Sequence, residues 1–186
     1  MTTYHHGDLR SALLQAAGQI LEKEGLGALS LREAARRAGV SHAAPYRHFP
    51  DRERLLADLA AQGFELLNAE LRKRAEGEMG LGYLEFALAH PQRFRLMFGG
   101  QLSFNDYAEL RAAGEGRYED LQEVFGSLGD DAPLAAAAAW ALVHGLASLI
   151  LDGHFAQAQH ESGGAAAFAK KVLGSVRVAR AAQRSA

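Results

Sequence analysis

Residues 30–49, SLREAARRAGVSHAAPYRHF, constrain the fold of this chain more than any other stretch of its length. Ser30 followed by Glu33 is a capping box: the serine hydroxyl accepts from the Glu33 amide, and the glutamate reaches back to the Ser30 amide. Leu31, Ala34, Ala35 and Ala38 give the helix that follows an apolar stripe. Gly39 ends it, because a tight turn needs positive φ. Ala35 is small where two helices touch, Val40 is apolar behind the turn, and Ser41 or His42 caps a second helix. Two short helices joined this tightly make a helix-turn-helix. Pro45 falls near the end of the second helix's first turn. With His42 as cap it forfeits no intrahelical bond; with Ser41 as cap one bond is lost and the ring crowds the Ser41 carbonyl. The proline therefore leaves the helix possible, shortens it, and pushes Ala44 away from α geometry, making the entry tight or irregular.

The rest of the chain also reads as helix. Alternating strand patterns are absent, and Val and Ile are scarce. Asp8 can cap a first helix that carries Leu9, Leu13, Ala16, Ala17, Ile20 and Leu21 on one face and ends at Gly25. A long helix is predicted over 51–75, and Gly77, Gly80 and Gly82 then predict a loose hinge. Further helices are predicted over 83–90, 91–98 with Pro91 in the first turn, 106–125, from Pro133 to 152, and 165–182. GGQLSFND, GSLGDDAP and QHESGG read as loops. The expected fold is all-α. A three-helix unit with the helix-turn-helix, residues 1–52, is joined by the long helix to a C-terminal helical domain, residues 53–186.

Charge is unevenly spread. Residues 1–55 carry eight Lys/Arg against six Asp/Glu, and residues 56–186 carry twelve against sixteen. A basic end on an acidic body suits a chain that meets nucleic acid with one end. The absence of cysteine excludes disulfides, thiolate metal sites and a cysteine nucleophile, and fits a reducing compartment. No two histidines stand at helical i, i+4 spacing and none lies in a carboxylate cluster, so neither metal nor cofactor is expected. The first residues lack the continuous apolar core of a signal peptide. Residues 132–151, APLAAAAAWALVHGLASLIL, are uncharged and long enough to span a bilayer. Their alanine content, His144, the Asp152 that follows and the lack of flanking Lys/Arg read instead as a helix buried in a protein interface. The expected location is the cytoplasm.

LREAARRAGVSHAAPYRHFPDRERLL resembles the DNA-binding motif of TetR/AcrR-type transcriptional regulators. YHHGDLRSALLQAA resembles the first helix of one branch of that family, and FALAHPQRFRLMF matches the same branch. AAAWALVHGLASLIL resembles the branch's C-terminal signature, a grouping carried here by Trp140, His144 and Gly145. The resemblance implies a homodimeric regulator, generally a repressor, that holds a palindromic double-stranded operator and is released by a small molecule. On this resemblance Tyr46 and His48 hold phosphate oxygens. Arg52 neutralises a phosphate where the family often has lysine, and Ser30 offers its hydroxyl and the helix amides to another. Ser41 caps the second helix, and His42, Ala43 and Ala44 form the tip that enters the major groove. Ala43 or Ala44 can pack on a thymine methyl, and His42 or Arg47 can reach a base edge, although for these last two an ordinary surface role serves equally. The connection from RKRAEG to MGLGYLEF is short for the family.

Aromatic residues concentrate after residue 82. Phe94, Met97, Phe98, Phe104, Tyr107, Tyr118, Trp140 and His144 are the candidate lining of a pocket for an apolar or aromatic effector. Taken singly, each aromatic also reads as plain core. Trp140 and His144 share a helix face one turn apart, and His144 would be the pocket's polar handle. Residues 134–151 and 165–182 are the expected homodimer surface, since small residues let helix backbones approach closely; packing within one chain is the alternative. Two rival readings remain. One is a helix-turn-helix regulator controlled by a protein partner without a small molecule. The other is a hydrolase using Ser148, His144 and Asp152. Parallel side chains on one helix do not align such a triad, and no Gly-x-Ser-x-Gly elbow is present, so no enzyme is expected.

Overall fold

The structure, a computed structural model, describes the backbone of residues 6–184 and the side chains of 9–176 other than Glu76 and Arg117. Every regular element among them is helical. The helices are α1 (His6–Glu24), α2 (Leu31–Arg37), α3 (Arg52–Leu71), α4 (Met79–Ala89), α5 (Pro91–Phe98), α6 (Ala108–Val124), α7 (Ala132–Leu151), α8 (Ala156–Ser162) and α9 (Ala165–Arg184). Short 3-10 helices stand at Leu26–Ala28, Ala44–Arg47, Glu76–Glu78, Phe104–Asp106 and Gly126–Asp131. The chain forms two compact units. The first runs to Leu66 and takes in His90–Arg117; the second comprises Leu67–Ala89 and the chain from Tyr118 onward. The unit boundaries fall inside α3 and α6 and between α4 and α5, and do not coincide with the two segments, 1–52 and 53–186, expected from the sequence.

The first unit is built on the apolar face of α1. Leu13, Ala17, Ile20 and Leu21 are fully buried with Leu31, Ala34 and Ala35 of α2 and Leu55 and Leu59 of α3. Each such leucine contributes about 1.5–3 kcal/mol relative to exposure. Residues 6 and 7 are already helical, so Asp8 lies inside α1 rather than ahead of it. Where α3 meets α5, a Cβ on Gly63 would stand 2.6 Å from Met97 Sδ.

In the second unit α4 packs on α7 and α9, and α8 packs on α9. Three predictions fail here. Gly80 and Gly82 do not form a hinge; both lie within α4. A Cβ on Gly80 would be 3.2 Å from Val143 Cγ1, and one on Gly82 3.2 Å from Leu71 Cδ2. These glycines serve close packing, which sequence spacing does not distinguish from looseness. QHESGG is likewise not simply a loop. Residues 156–162 form α8, entered through Phe155 at φ 62° and closed by Gly163 at φ 87°, with Gln157 donating to Glu161 one turn on at 2.7 Å. The long helix stops at Leu71 rather than 75. There the Lys73 and Arg74 amides turn to the Glu70 and Leu71 carbonyls. The apolar stretch Gly126–Leu151 is long and apolar enough to cross a membrane, yet only 22% of its most apolar window is buried within the chain.

Candidate nucleic-acid interface and aromatic clusters

The motif of residues 30–49 is assembled from short-range chemistry. Ser30 Oγ accepts from the Glu33 amide at 3.1 Å. The return half of the box is absent, because the Glu33 carboxylate faces forward. It accepts from Arg36 Nε at 2.8 Å, Arg36 Nη2 at 2.6 Å and Arg37 Nε at 3.0 Å. These guanidinium bonds, that of Arg36 first, hold its carboxyl down at about 2. Arg37 also pairs with Glu24, which ties α2 to the end of α1. Gly39 takes φ 69°, and the Val40 amide returns to the Ala35 carbonyl at 3.0 Å.

Beyond the turn the second helix is a single 3-10 turn, Ala44–Arg47. Neither Ser41 nor His42 caps it. Ala43 stands at the cap with no side-chain bond, and Pro45 sits in the first turn. The Ser41 main chain contributes instead, its carbonyl accepting from the Ala44 amide at 3.0 Å. Pro45 has no amide to donate, but its carbonyl accepts from both His48 and Phe49 at 2.9 Å. Pro45 is buried and Phe49 fully so; these two anchor the turn. Ser41, His42, Ala43, Tyr46 and Arg47 are exposed, Ala44 half-buried. Tyr46 is 53% exposed. His48 is half-buried, and its Nε2 is buried without a hydrogen-bond partner among the described residues. Arg52 is exposed but engaged: Nε donates to the Leu29 carbonyl at 2.8 Å and Nη2 to that of Leu26 at 2.8 Å. It clamps the start of α3 to the turn before α2 while keeping its charge at the surface.

Sequence reading passed over the ionic group beneath this surface. Asp58, nearly buried, accepts from Arg10 Nη2 at 2.7 Å and pairs with Arg54 Nε at 3.0 Å. The Arg10 guanidinium also lies 5.8 Å from the Phe49 ring centre. The i, i+4 spacing of Arg54 and Asp58 was its only signal.

The eight expected effector-pocket residues divide between the compact units. Phe94, Met97, Phe98, Phe104 and Tyr107 belong to the first. Phe94 and Met97 are buried core. A chain of tilted and edge-to-face ring contacts runs from Phe94 to Phe98 at 4.9 Å, to Phe64 at 5.2 Å and on to Phe104 at 5.7 Å. Phe104 lies so close over Gly114 that a Cβ there would be 2.7 Å away. Tyr107 reaches Glu53 at 3.5 Å, and partial burial and that carboxylate push its phenol up. Tyr118, Trp140 and His144 belong to the second unit. There Tyr83, which the sequence did not single out, shares a hydrogen bond with His144 Nδ1 at 2.8 Å. Trp140 lies 6.1 Å from the His144 ring and 6.3 Å from that of Tyr118. Tyr118 donates to the Pro133 carbonyl at 3.0 Å. Tyr83 thus shares the Nδ1 atom of His144, the nitrogen that usually faces the acid in a Ser-His-Asp relay.

Residues 13–59 match the family of bacterial regulatory proteins, tetR family, and residues 77–173 match the tetracyclin repressor-like C-terminal domain. A solved protein of unknown function from Rhodococcus sp. RHA1 is 32% identical, covering 94% of this chain and 96% of its own, with a TM-score of 0.78. TetR from Acinetobacter baumannii AYE is 20% identical over 98% of this chain and 99% of its own, with a TM-score of 0.64. The TetR family transcriptional regulator PfmR from Thermus thermophilus is 20% identical over 87% of this chain and 94% of its own, with a TM-score of 0.61. No curated protein matches the sequence. The two family matches, one at each end and together spanning most of the chain, agree with the all-helical fold and with the turn set out on Pro45 and Phe49: the chain belongs to the TetR family of transcriptional regulators, with a DNA-binding domain at its N-terminal end.

Proposed function

We propose that this regulator is a homodimeric, effector-released repressor of the branch marked by Trp140, His144 and Gly145. Residues 1–52 contact DNA, and residues 53–186 sense the effector and dimerise. The observation that carries the DNA reading is the exposure of His42, Tyr46 and Arg47 on a turn whose other side is buried through Pro45 and Phe49. In this assignment Ala43 and Ala44 meet the groove floor, His42 and Arg47 meet base edges, and Ser30, Ser41, Tyr46 and His48 hold phosphate oxygens. Arg52 adds charge more than a directed bond, since its Nε and Nη2 are committed to carbonyls. Dimerisation through 134–151 and 165–182 is supported by Leu134, Leu142 and Leu149, which stand exposed on α7. The working place is the cytoplasm, where the DNA is, and the role is binding rather than catalysis.

The effector site is assigned to the second unit, around Trp140, Tyr118 and the Tyr83–His144 pair, where polar atoms stand among apolar rings. An apolar or aromatic effector there acts by population shift, preferring the conformer whose DNA contacts are misplaced. A tenfold loss of DNA affinity needs about 1.4 kcal/mol of such preference. The test is binding of the purified protein to its own upstream region against random duplex. Arg47→Ala should weaken specific binding and relax sequence preference. Equal affinity for both duplexes sinks the reading. For the effector, Trp140→Ala should abolish response while leaving DNA binding and dimer content near wild type. A wild type that responds to no compound gives way to control by a protein partner.

A further inference from the structure

We propose that a cleft between α1, α3 and α5 of the first unit is a binding site for a small carboxylate, with the Arg93 guanidinium as its anchor. The cleft measures about 610 Å³ and opens to solvent. It is separate from the aromatic group assigned to the effector, and nothing in that assignment is needed for it.

Arg93 is only 8% exposed, and its acceptors are distant. Nη1 reaches the Leu59 carbonyl at 3.3 Å and Gln62 Oε1 at 3.4 Å. Nε stands 4.0 Å from Glu22, and Nη2 donates to nothing among the described residues. A guanidinium taken from water normally forms short, charge-assisted bonds, and a buried charge without them is costly. Desolvation accordingly pulls the Arg93 pKa down. Glu22 does not fill the gap, because its two oxygens accept from the Gln92 and Arg93 amides at 3.3 and 3.2 Å. It caps α5 and stands only at the outer limit of ion-pairing distance from the Arg93 side chain.

Nη2 lies against the α1 backbone at the cleft wall: a Cβ on Gly18 would stand 2.6 Å from it, so a larger residue there would make the guanidinium shift. The walls add Gln15, Gln19 and Gln62, amides that can serve either a donor or an acceptor, and Lys23 supplies a second cation. With Arg93 and Lys23 against Glu22, the site carries one net positive charge. A small monoanion with a polar body matches that balance: its carboxylate takes Nη2, and its remaining polar groups meet the glutamines.

The experiment titrates the full-length protein with acetate, and in a second arm with inorganic phosphate, at constant ionic strength against chloride, following amide and arginine Nε chemical shifts. Acetate should give saturable shifts centred on Gly18, Gln62 and Arg93. Arg93→Gln should remove them. Gln19→Glu, an exposed change that leaves packing alone, should weaken acetate about fivefold by placing a like charge at the mouth; it decides the matter if Arg93→Gln does not fold. A response linear in salt and equal to that of chloride overturns the site, as does saturable binding untouched by Gln19→Glu. Tighter binding of phosphate than of acetate overturns the carboxylate assignment.

Discussion

Arg10 of α1 and Asp58 of α3 are joined by a 2.7 Å charge-assisted bond in which the carboxylate is nearly buried and the guanidinium half-exposed. The second carboxylate oxygen takes Arg54, whose Nη2 goes on to Glu109 of α6 at 2.8 Å. One buried acid thus orders cations from two helices, and Arg10 lies over the Phe49 ring that anchors the recognition turn.

Asp58→Asn should therefore destabilise the fold by about 2 kcal/mol, the scale of a lost charge-assisted bond inside the protein, reduced by the exposure of Arg10. Arg10→Ala should cost less, because Arg54 remains. Urea denaturation of both variants checks the order. A midpoint unchanged in Asp58→Asn would show that the cluster only decorates the surface.

Glu33 gives a pH prediction. Bonds from Arg36 and Arg37 lower its carboxyl from 4.5 to about 2. A depressed folded pKa means the ionised form is favoured by folding, so its contribution is fully present above the unfolded value. It fades as pH falls from 4.5 towards about 2. Carboxyl-carbon NMR should find Glu33 titrating well below the ordinary glutamate range. In Arg36→Ala the midpoint should rise. A wild-type Glu33 that titrates with the other glutamates contradicts the fork seen around it.

Tyr83→Phe should destabilise the second unit by about 1 kcal/mol, because His144 Nδ1 loses its partner in a partly buried place. A double-mutant cycle with His144→Ala isolates the pair. Additive losses would mean that the two side chains act independently.

Much of this was legible in the sequence because it rests on local rules. The α1 stripe, the Ser30 hydroxyl, the Gly39 turn and Pro91 opening α5 all follow from spacing and backbone chemistry. What was not legible depends on distant partners. Glu33 could close its capping box or fork to Arg36 and Arg37, and spacing permits both. Pro45 announced an irregular entry, but the reduction of the helix to one 3-10 turn depends on burying Pro45 and Phe49 against the rest of the unit. Gly80 and Gly82 read as slack because Val143 and Leu71, which press on them, are far away or across a turn. The aromatic residues after 82 read as one pocket because composition carries no information on which compact unit each joins.

The proposed dimer surface yields the last prediction, and here the structure changes which residues test it. Ala147 and Val172 lie on the helices the sequence assigns to dimerisation, and Glu at either would be the obvious probe. Ala147, however, is 1% exposed within a single chain and Val172 is half-buried. A carboxylate at Ala147 would disrupt the fold of the second unit whether or not it dimerises. Leu149 and Leu142 are 41% and 37% exposed on α7, and Leu134 is 73% exposed. Leaving that many leucines of one helix in water is unusual unless the face is covered. Leu149→Glu should give a folded monomer, judged by an unchanged helical spectrum and halved mass in sedimentation. Gly145→Ala supplies the companion test. Nothing lies within 4 Å of a Cβ there in the single chain, so the change should raise helix stability by about 1 kcal/mol in a monomer. If α7 instead meets a second copy across Gly145, the same methyl pushes the backbones apart, and dimer affinity falls while monomer stability rises. A Leu149→Glu protein that stays dimeric at low micromolar concentration would place the interface elsewhere.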